Sequence, residues 1–174
     1  MRKGLVIVNT GNGKGKTTAA LGMLLRAWGH DMKVGVVQFL KSDGAPYGEI
    51  KAAKKLGLDW SITGDGCTWT VKDLDHSADL ARQGWTLAQE KIVSGQYDVL
   101  LLDEFTYPLH FGWLNTGEVL DWLRQNKPAE LHLVLTGRNA SQDLIDYADL
   151  VTEMHLVKHP YESQSLPGQR GVEF

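Results

Sequence analysis

The sequence predicts a three-layer α/β/α domain around a mostly parallel sheet of about five or six strands. Three observations carry this. Short apolar, β-branched runs alternate with stretches of helical period, the order that parallel strands joined by helical crossovers require. The clearest runs are continuously apolar rather than alternating, as strands covered on both faces are. The first run leads straight into a glycine-rich turn and then a helix, and the carboxyl ends of such strands are where these sheets bind ligands.

"LVIVN" (5–9) is the first buried strand. "KTTAALGMLLRAWGH" follows as a helix, with Ala20, Leu24 and Ala27 on one face and Gly29 as its stop. "VGVVQFL" (34–40) is the next strand, "YGEIKAAKKLG" a short helix, and "LDWSI" (58–62) a weaker strand. The segment "TGDGCTWTVKD" (63–73) breaks both periods and reads as loop. From Leu74, apolar or small residues at 74, 78, 81, 85, 88 and 92 form one face of a long helix closed by Gly95. "YDVLLLDE" (97–104) is the most strongly marked strand, ending in two acids. "TGEVLDWLRQN" is a helix with Thr116 expected as N-cap, "LHLVLTG" (131–137) a strand, "ASQDLIDYA" a helix and "DLVTEMHL" (149–156) the last strand. The tail "VKHPYESQSLPGQRGVEF" reads as loop.

At 174 residues, residues 1–174 are read as one domain, long enough to bury roughly 70% of the unfolded surface. The hydrophobic fraction of 43% and charged fraction of 22% suit a globular protein. No run reaches the length of a membrane span, and the opening "MRKGLVIVNTG" lacks the long apolar stretch of a signal peptide. The single cysteine, Cys67, excludes an intramolecular disulfide or a cysteine-rich metal site and points to the cytoplasm. A net charge of −3 argues against duplex nucleic acid as a partner.

The chemistry centres on "TGNGKGKTT" (10–18). The usual phosphate loop has Gly, four residues, then Gly-Lys-Ser/Thr; here Thr10 stands at the first glycine, and Gly11 comes one place late. Gly11, Gly13 and Gly15 allow backbone N–H groups to converge on phosphate, and the following helix adds its positive dipole end. Lys16 supplies charge, with a second lysine, Lys14, inside the loop; Thr17 offers a hydroxyl to Mg2+ (or Mn2+), and Asn12 and Thr18 add an amide and a hydroxyl. The partner acid should end a neighbouring buried strand, where Asp103 and Glu104 stand; spacing does not say which touches the metal. Together these mark a P-loop NTPase-like (RecA-like) domain. A plain glycine-rich turn and a helix-capping acid are the structural alternatives.

Read in order, "TGNGKGKTTAALG", "VGVVQFLK", "TWT", "LLLDEFTY", "LTGRN", "YADLVTEM" and "VKHPYE" resemble the P-loop type of corrinoid adenosyltransferase, over essentially the whole chain. The resemblance implies transfer of the 5′-deoxyadenosyl group of ATP to Co(I) of a corrinoid, with triphosphate leaving. It implies that ATP lies reversed along the loop, which the missing first glycine would fit. Residues Gly11 through Thr17 carry over as the ATP loop, and Glu104 as the metal acid with Asp103 before it. Arg138 carries over as an arginine near the triphosphate, and Arg26, on the helix after the loop, as a further ATP contact. Trp69 corresponds to a tryptophan lying against the corrin ring. The family is commonly homodimeric, which the aromatics of "PLHFGW" (108–113) would suit, and a flavoprotein or free reduced flavin is the implied reductant.

Two departures stand out. Where the family commonly has phenylalanine two places before that tryptophan, this chain has Cys67. The phenylalanine is expected to crowd the cobalt face, so the change puts the handling of base-on cobalamin in doubt. The first strand also begins at about Leu5, without the N-terminal extension many relatives carry, so the C-terminal tail is a candidate cover for the site. The competing activities are a conventional ATPase or kinase and a non-catalytic corrinoid or nucleotide carrier; a DNA-binding motor fits the charge poorly.

Overall fold

The computed structural model describes residues 3–42, 47–64, 66 and 74–173. Strands and helices follow one another as β1 (Val6–Thr10), α1 (Lys16–Trp28), β2 (Val34–Ser42), α2 (Gly48–Leu56), β3 (Asp59–Gly64), α3 (Leu74–Val93), β4 (Val99–Asp103), α4 (Thr106–His110), α5 (Thr116–Asn126), β5 (His132–Thr136), α6 (Gln142–Tyr147), β6 (Leu150–Glu153) and α7 (Pro160–Gln164). The six strands form one sheet in the order β3-β2-β4-β5-β1-β6, and every pairing is parallel. The sheet type and the upper strand count are as the sequence predicts.

Alternation within the central strands builds the layers. In β4, Leu100 and Leu102 face one side, where Trp85, Ala88 and Ile92 of α3, Leu120 and Leu123 of α5 and Leu144 of α6 cover them. Val99 and Leu101 face the other side and meet Ala20, Leu24 and Ala27 of α1. A strand buried on both faces has no polar side to show, so β4 reads as an unbroken apolar run. The α3 face is the predicted one, with Ala78, Ala81, Trp85, Ala88 and Ile92 all buried.

Strand order places the site. From β1 the chain crosses over β5 and β4 to reach β2, so the sheet's winding reverses around its middle. The crevice outside the strand ends at such a reversal is where ligands of these sheets bind. The loops after β1, β4 and β5 all open on that edge.

Two local expectations, the α5 cap and the tail, are corrected, and one short helix is added. The N-cap of α5 is Asn115, whose side chain accepts a hydrogen bond from Glu118 N, and Thr116 is the first helical residue. A short helix, α4, directly follows the acids; its Pro108 sits in the first turn, where no intrahelical N–H partner is lost. The tail contains α7, where His159 caps and Pro160 begins the helix.

Candidate active site

β1 ends at Thr10 and α1 begins at Lys16, and the loop between them turns at Gly11 (φ 94°) and Gly15 (φ 102°), in the left-handed region that favours glycine. Glycine is also needed for space: a Cβ at Gly11 or Gly13 would lie 2.5 or 2.7 Å from the Met154 carbonyl oxygen. Gly13 N donates to that oxygen at 2.6 Å, and Met154 N donates to Thr10 O at 2.9 Å. The loop is thus wedged against the end of β6. Thr10 itself belongs to the sheet, paired with Glu153, and its hydroxyl accepts from Ala140 N at 3.2 Å. Position 10 is therefore the last residue of the strand, and the loop proper opens at Gly11.

No side chain caps α1, whose N-cap is Gly15. Its first N–H groups therefore face the cleft with the positive end of the helix dipole. Lys16 Nζ donates to the carbonyls of Gly11 (2.9 Å) and Gly13 (2.7 Å). Burial, followed by the charge of Arg138, holds its pKa below the usual lysine value.

The two acids have different jobs, set by the backbone. Asp103 is fully buried and engaged through both oxygens: Oδ1 accepts from the hydroxyls of Thr17 (2.8 Å) and Thr136 (2.7 Å), and Oδ2 from Gln38 Nε2 (2.8 Å). With its proton committed to Asp103, the Thr17 hydroxyl has lone pairs left for a cation. Glu104 then turns out of the strand at φ 60°, a strained conformation for this residue type, with its N–H held by Thr136 Oγ1 at 2.9 Å. Its Oε2 is buried, with no hydrogen-bond partner among the described residues. Burial, reinforced by the Asp103 carboxylate, pushes its pKa up to about 7. An unpartnered buried carboxylate oxygen beside a proton-committed hydroxyl is a hard-oxygen donor set, and it fits Mg2+ or Mn2+.

Arg138 follows Gly137, where a Cβ would meet Thr106 Oγ1 at 2.1 Å, and the Arg138 carbonyl accepts from that hydroxyl at 2.6 Å. Its side chain is exposed, and its charge acts on both Lys16 and Glu104. A cleft of about 520 Å3 runs between the loop residues Lys14–Thr18 and an opposite wall of Lys41, Tyr47 and Glu49, with Glu104 also lining it. That size suits a small-molecule ligand. Lys14 is ion-paired with Glu173, and the tail residues Gly171–Glu173 form part of the wall.

The structure therefore brings together Gly11, Gly13, Lys14, Gly15, Lys16, Thr17, Thr18, Asp103, Glu104 and Arg138. Asn12 lies exposed on the loop. Arg26 is not brought in: it borders a separate hollow of about 230 Å3 with Ile7, Met23, His30 and His132, near the strands' amino ends and about 15 Å along α1 from Lys16. Cys67 and Trp69 lie outside the described residues. Of the "PLHFGW" aromatics, Phe111 is 41% exposed and ring-packed with Trp113 at 5.0 Å and Tyr107 at 6.0 Å.

Gln38, Lys41, Glu49, Thr136 and Glu173 are site residues that sequence reasoning missed. A polar glutamine and a lysine at the end of an otherwise apolar strand run were the available signal. Burial alone would lower the Lys41 pKa, but its hydrogen bond to Glu49 and the charges of Asp103 and Glu104 outweigh this and raise it.

Residues 2–174 match the family described as ATP:corrinoid adenosyltransferase BtuR/CobO/CobP. A corrinoid adenosyltransferase of Sinorhizobium sp is 43% identical over 174 residues, which is 99% of this chain and 81% of that protein. Those of Pseudomonas aeruginosa PAO1 and Escherichia coli K12 are 39% and 36% identical, over 99% of this chain and 84% and 86% of theirs. In fold, the chain is similar to the crystal structure of the flagellar accessory protein FlaH from Methanocaldococcus jannaschii, with a TM-score of 0.61. That match covers 88% of this chain and 72% of that one at 10% identity, so it speaks for the fold alone.

Proposed function

The chain belongs to the ATP:corrinoid adenosyltransferase family, and from that premise we propose which of its residues carry the reaction. The activity is ATP-dependent adenosyl transfer to a corrinoid. The observation that ties it to this geometry is the uncapped glycine loop facing Glu104 and the Asp103-held Thr17 hydroxyl across one cleft.

The nucleophile is the substrate's own Co(I), so the protein need not create one. The cobalt electron pair forms a bond to C5′ of ATP, the C5′–O bond breaks, and its electron pair leaves on the triphosphate. What remains for the protein is alignment and stabilisation of the charge that builds on the leaving group. The loop N–H groups, the start of α1 and Lys16 cradle the triphosphate. Lys16 exchanges the Gly11 and Gly13 carbonyls for phosphate oxygens. Lys14, Asn12 and Thr18 add contacts at the loop's rim, and Arg138 approaches from the end of β5. Thr17 and Glu104 would hold Mg2+ or Mn2+, with Asp103 orienting Thr17 from behind. When bound, the ion would neutralise charge building on the phosphate oxygens. Arg26 is left out of this assignment by its distance from the loop.

On the family resemblance, Trp69 lies against the corrin ring and Cys67 occupies the position beside the cobalt face; ATP lies reversed along the loop. Residues 1–174 act as one domain in the cytoplasm. Among the described residues no helix is long and apolar enough to cross a membrane. A homodimer through the Phe111 surface and reduction by a flavoprotein or free reduced flavin complete the reading.

The deciding experiment supplies ATP, Mg2+ and chemically reduced cobalamin or cobinamide, following the corrinoid spectrum and the phosphate product. Inorganic tripolyphosphate with a cobalt–carbon spectrum is expected. ADP with orthophosphate would instead make this an ATPase or kinase. Lys16→Ala is expected to abolish ATP binding and turnover, and retained activity would remove the loop from the mechanism.

A further inference from the structure

Successive side chains of a strand point to opposite faces, and at the end of β2 this rule is broken. Val37 and Phe39 sit in the core on the α3 side, while Gln38 points the other way and reaches Asp103. Leu40 should rejoin Gln38. Instead it packs against the same core cluster as Phe39, with φ at 64°. The pairing with β3 slips at the same place, from Gln38↔Ile62 to Ser42↔Gly64, so four residues of β2 advance against two of β3.

The neighbouring chain is shaped to accept the bulge. A Cβ at Gly64 would lie 2.4 Å from the Leu40 carbonyl carbon, and Gly66 N donates to Leu40 O at 3.1 Å. A left-handed leucine costs of order 1–3 kcal/mol and persists only where surrounding structure enforces it. Bulges beside active sites re-aim side chains, and the side chain that emerges here is Lys41. Its ammonium lines the cleft opposite the phosphate loop, 2.9 Å from Glu49 Oε1 and 4.4 Å from the centre of the Tyr47 ring. Its side chain is only 20% exposed. An ammonium has three donors, so the Glu49 contact leaves capacity for a second anion in the cleft.

We infer that Lys41 is a second catalytic cation of the reaction, contacting the triphosphate from the wall opposite Lys16. The bulge at Leu40 aims it, the Tyr47 ring flanks it, and Glu49 partly neutralises it until the triphosphate arrives. The inference rests on the adenosyltransferase reading. As the C5′–O bond breaks and its electron pair moves onto the triphosphate, negative charge grows between two lysines. Holding the leaving group from both sides also keeps C5′ in line with the attacking cobalt.

The test uses inorganic tripolyphosphate as a probe of the leaving-group site, with turnover of ATP and reduced cobalamin beside it. Lys41→Gln is expected to weaken tripolyphosphate binding about 10- to 100-fold, the range for a hydrogen bond to a charged group, and to lower kcat for adenosylation. Lys41→Arg should recover part of both. Glu49→Gln leaves the ammonium in place but removes its competing carboxylate, so tripolyphosphate should bind several-fold tighter. This second variant stands if Lys41→Gln fails to fold. A purely structural ion pair tying α2 to β2 would lower the melting temperature in both neutral variants and leave tripolyphosphate affinity unchanged; that result overturns the inference. Wild-type protein that makes ADP and orthophosphate would sink the functional reading itself. Normal tripolyphosphate release by both wild type and Lys41→Gln would sink only the role of Lys41.

Discussion

At the scale of single residues, Asp103 and Glu104 are adjacent acids whose burial has opposite results. Asp103 spends both oxygens on three protein donors, whereas Glu104 keeps a buried oxygen without a partner among the described residues, and its pKa is pushed up to about 7. A carboxyl whose folded pKa lies above its unfolded value destabilises the fold once it ionises. Between the ordinary carboxyl value of 4.5 and about 7, the native state holds a proton that the unfolded state has lost, so stability falls as pH rises through that window. Glu104→Gln removes the ionisation while keeping the shape. It is expected to stabilise the ligand-free protein at pH 8 by at most on the order of 3 kcal/mol, with the gain shrinking towards pH 5, and to abolish turnover. Denaturant unfolding at the two pH values measures this; equal stability at both would mean that the carboxylate is solvated. The division of labour was not legible in "LLLDE", because it depends on a left-handed φ at Glu104 and on hydroxyls arriving from Thr17 and Thr136. The same limit applies at Thr10: it ends a strand and its hydroxyl holds Ala140 N, roles independent of the direction in which ATP lies.

At the scale of elements, legibility followed burial. β4 and β5 are covered on both faces and announce themselves as apolar runs, and α3 shows its buried face at regular spacing. β6, at the sheet's edge and largely exposed, shows less. α4 and α7, five residues each, are too short to display a period and are held by their surroundings. The bulge at Leu40 in β2 is invisible in one dimension because it exists only against the neighbouring backbone of Gly64 and Gly66, and Lys41 was missed with it. At the start of α5, sequence position favoured Thr116, while geometry selects Asn115, whose side-chain Oδ1 accepts a hydrogen bond from Glu118 N at 3.1 Å. Asn115→Ala is expected to cost about 1 kcal/mol of stability, and Thr116→Ala much less, by thermal or chemical unfolding. The reverse order would return the cap to Thr116.

At the scale of the whole molecule, elements far apart in sequence converge on one loop. The residue after β6, Met154, supplies the carbonyl that wedges Gly13, the end of β4 and the turn after it supply the two acids, and the tail returns so that Glu173 pairs with Lys14. Cationic Lys14 is thereby neutralised at the rim, in competition with the charge a triphosphate would bring. Lys14 is 49% exposed, so the pair contributes little to folding, at most about 1 kcal/mol. Its effect belongs to binding. Glu173→Gln frees the lysine and is expected to raise ATP affinity about two- to fivefold at low ionic strength, with the difference fading as salt screens the pair. Calorimetric titration at two salt concentrations separates the possibilities. Tighter binding that salt erases makes the tail a competitor for the loop's charge. Weaker binding at every salt concentration would make Glu173 part of the wall that holds the nucleotide, and the tail a contributor to the site.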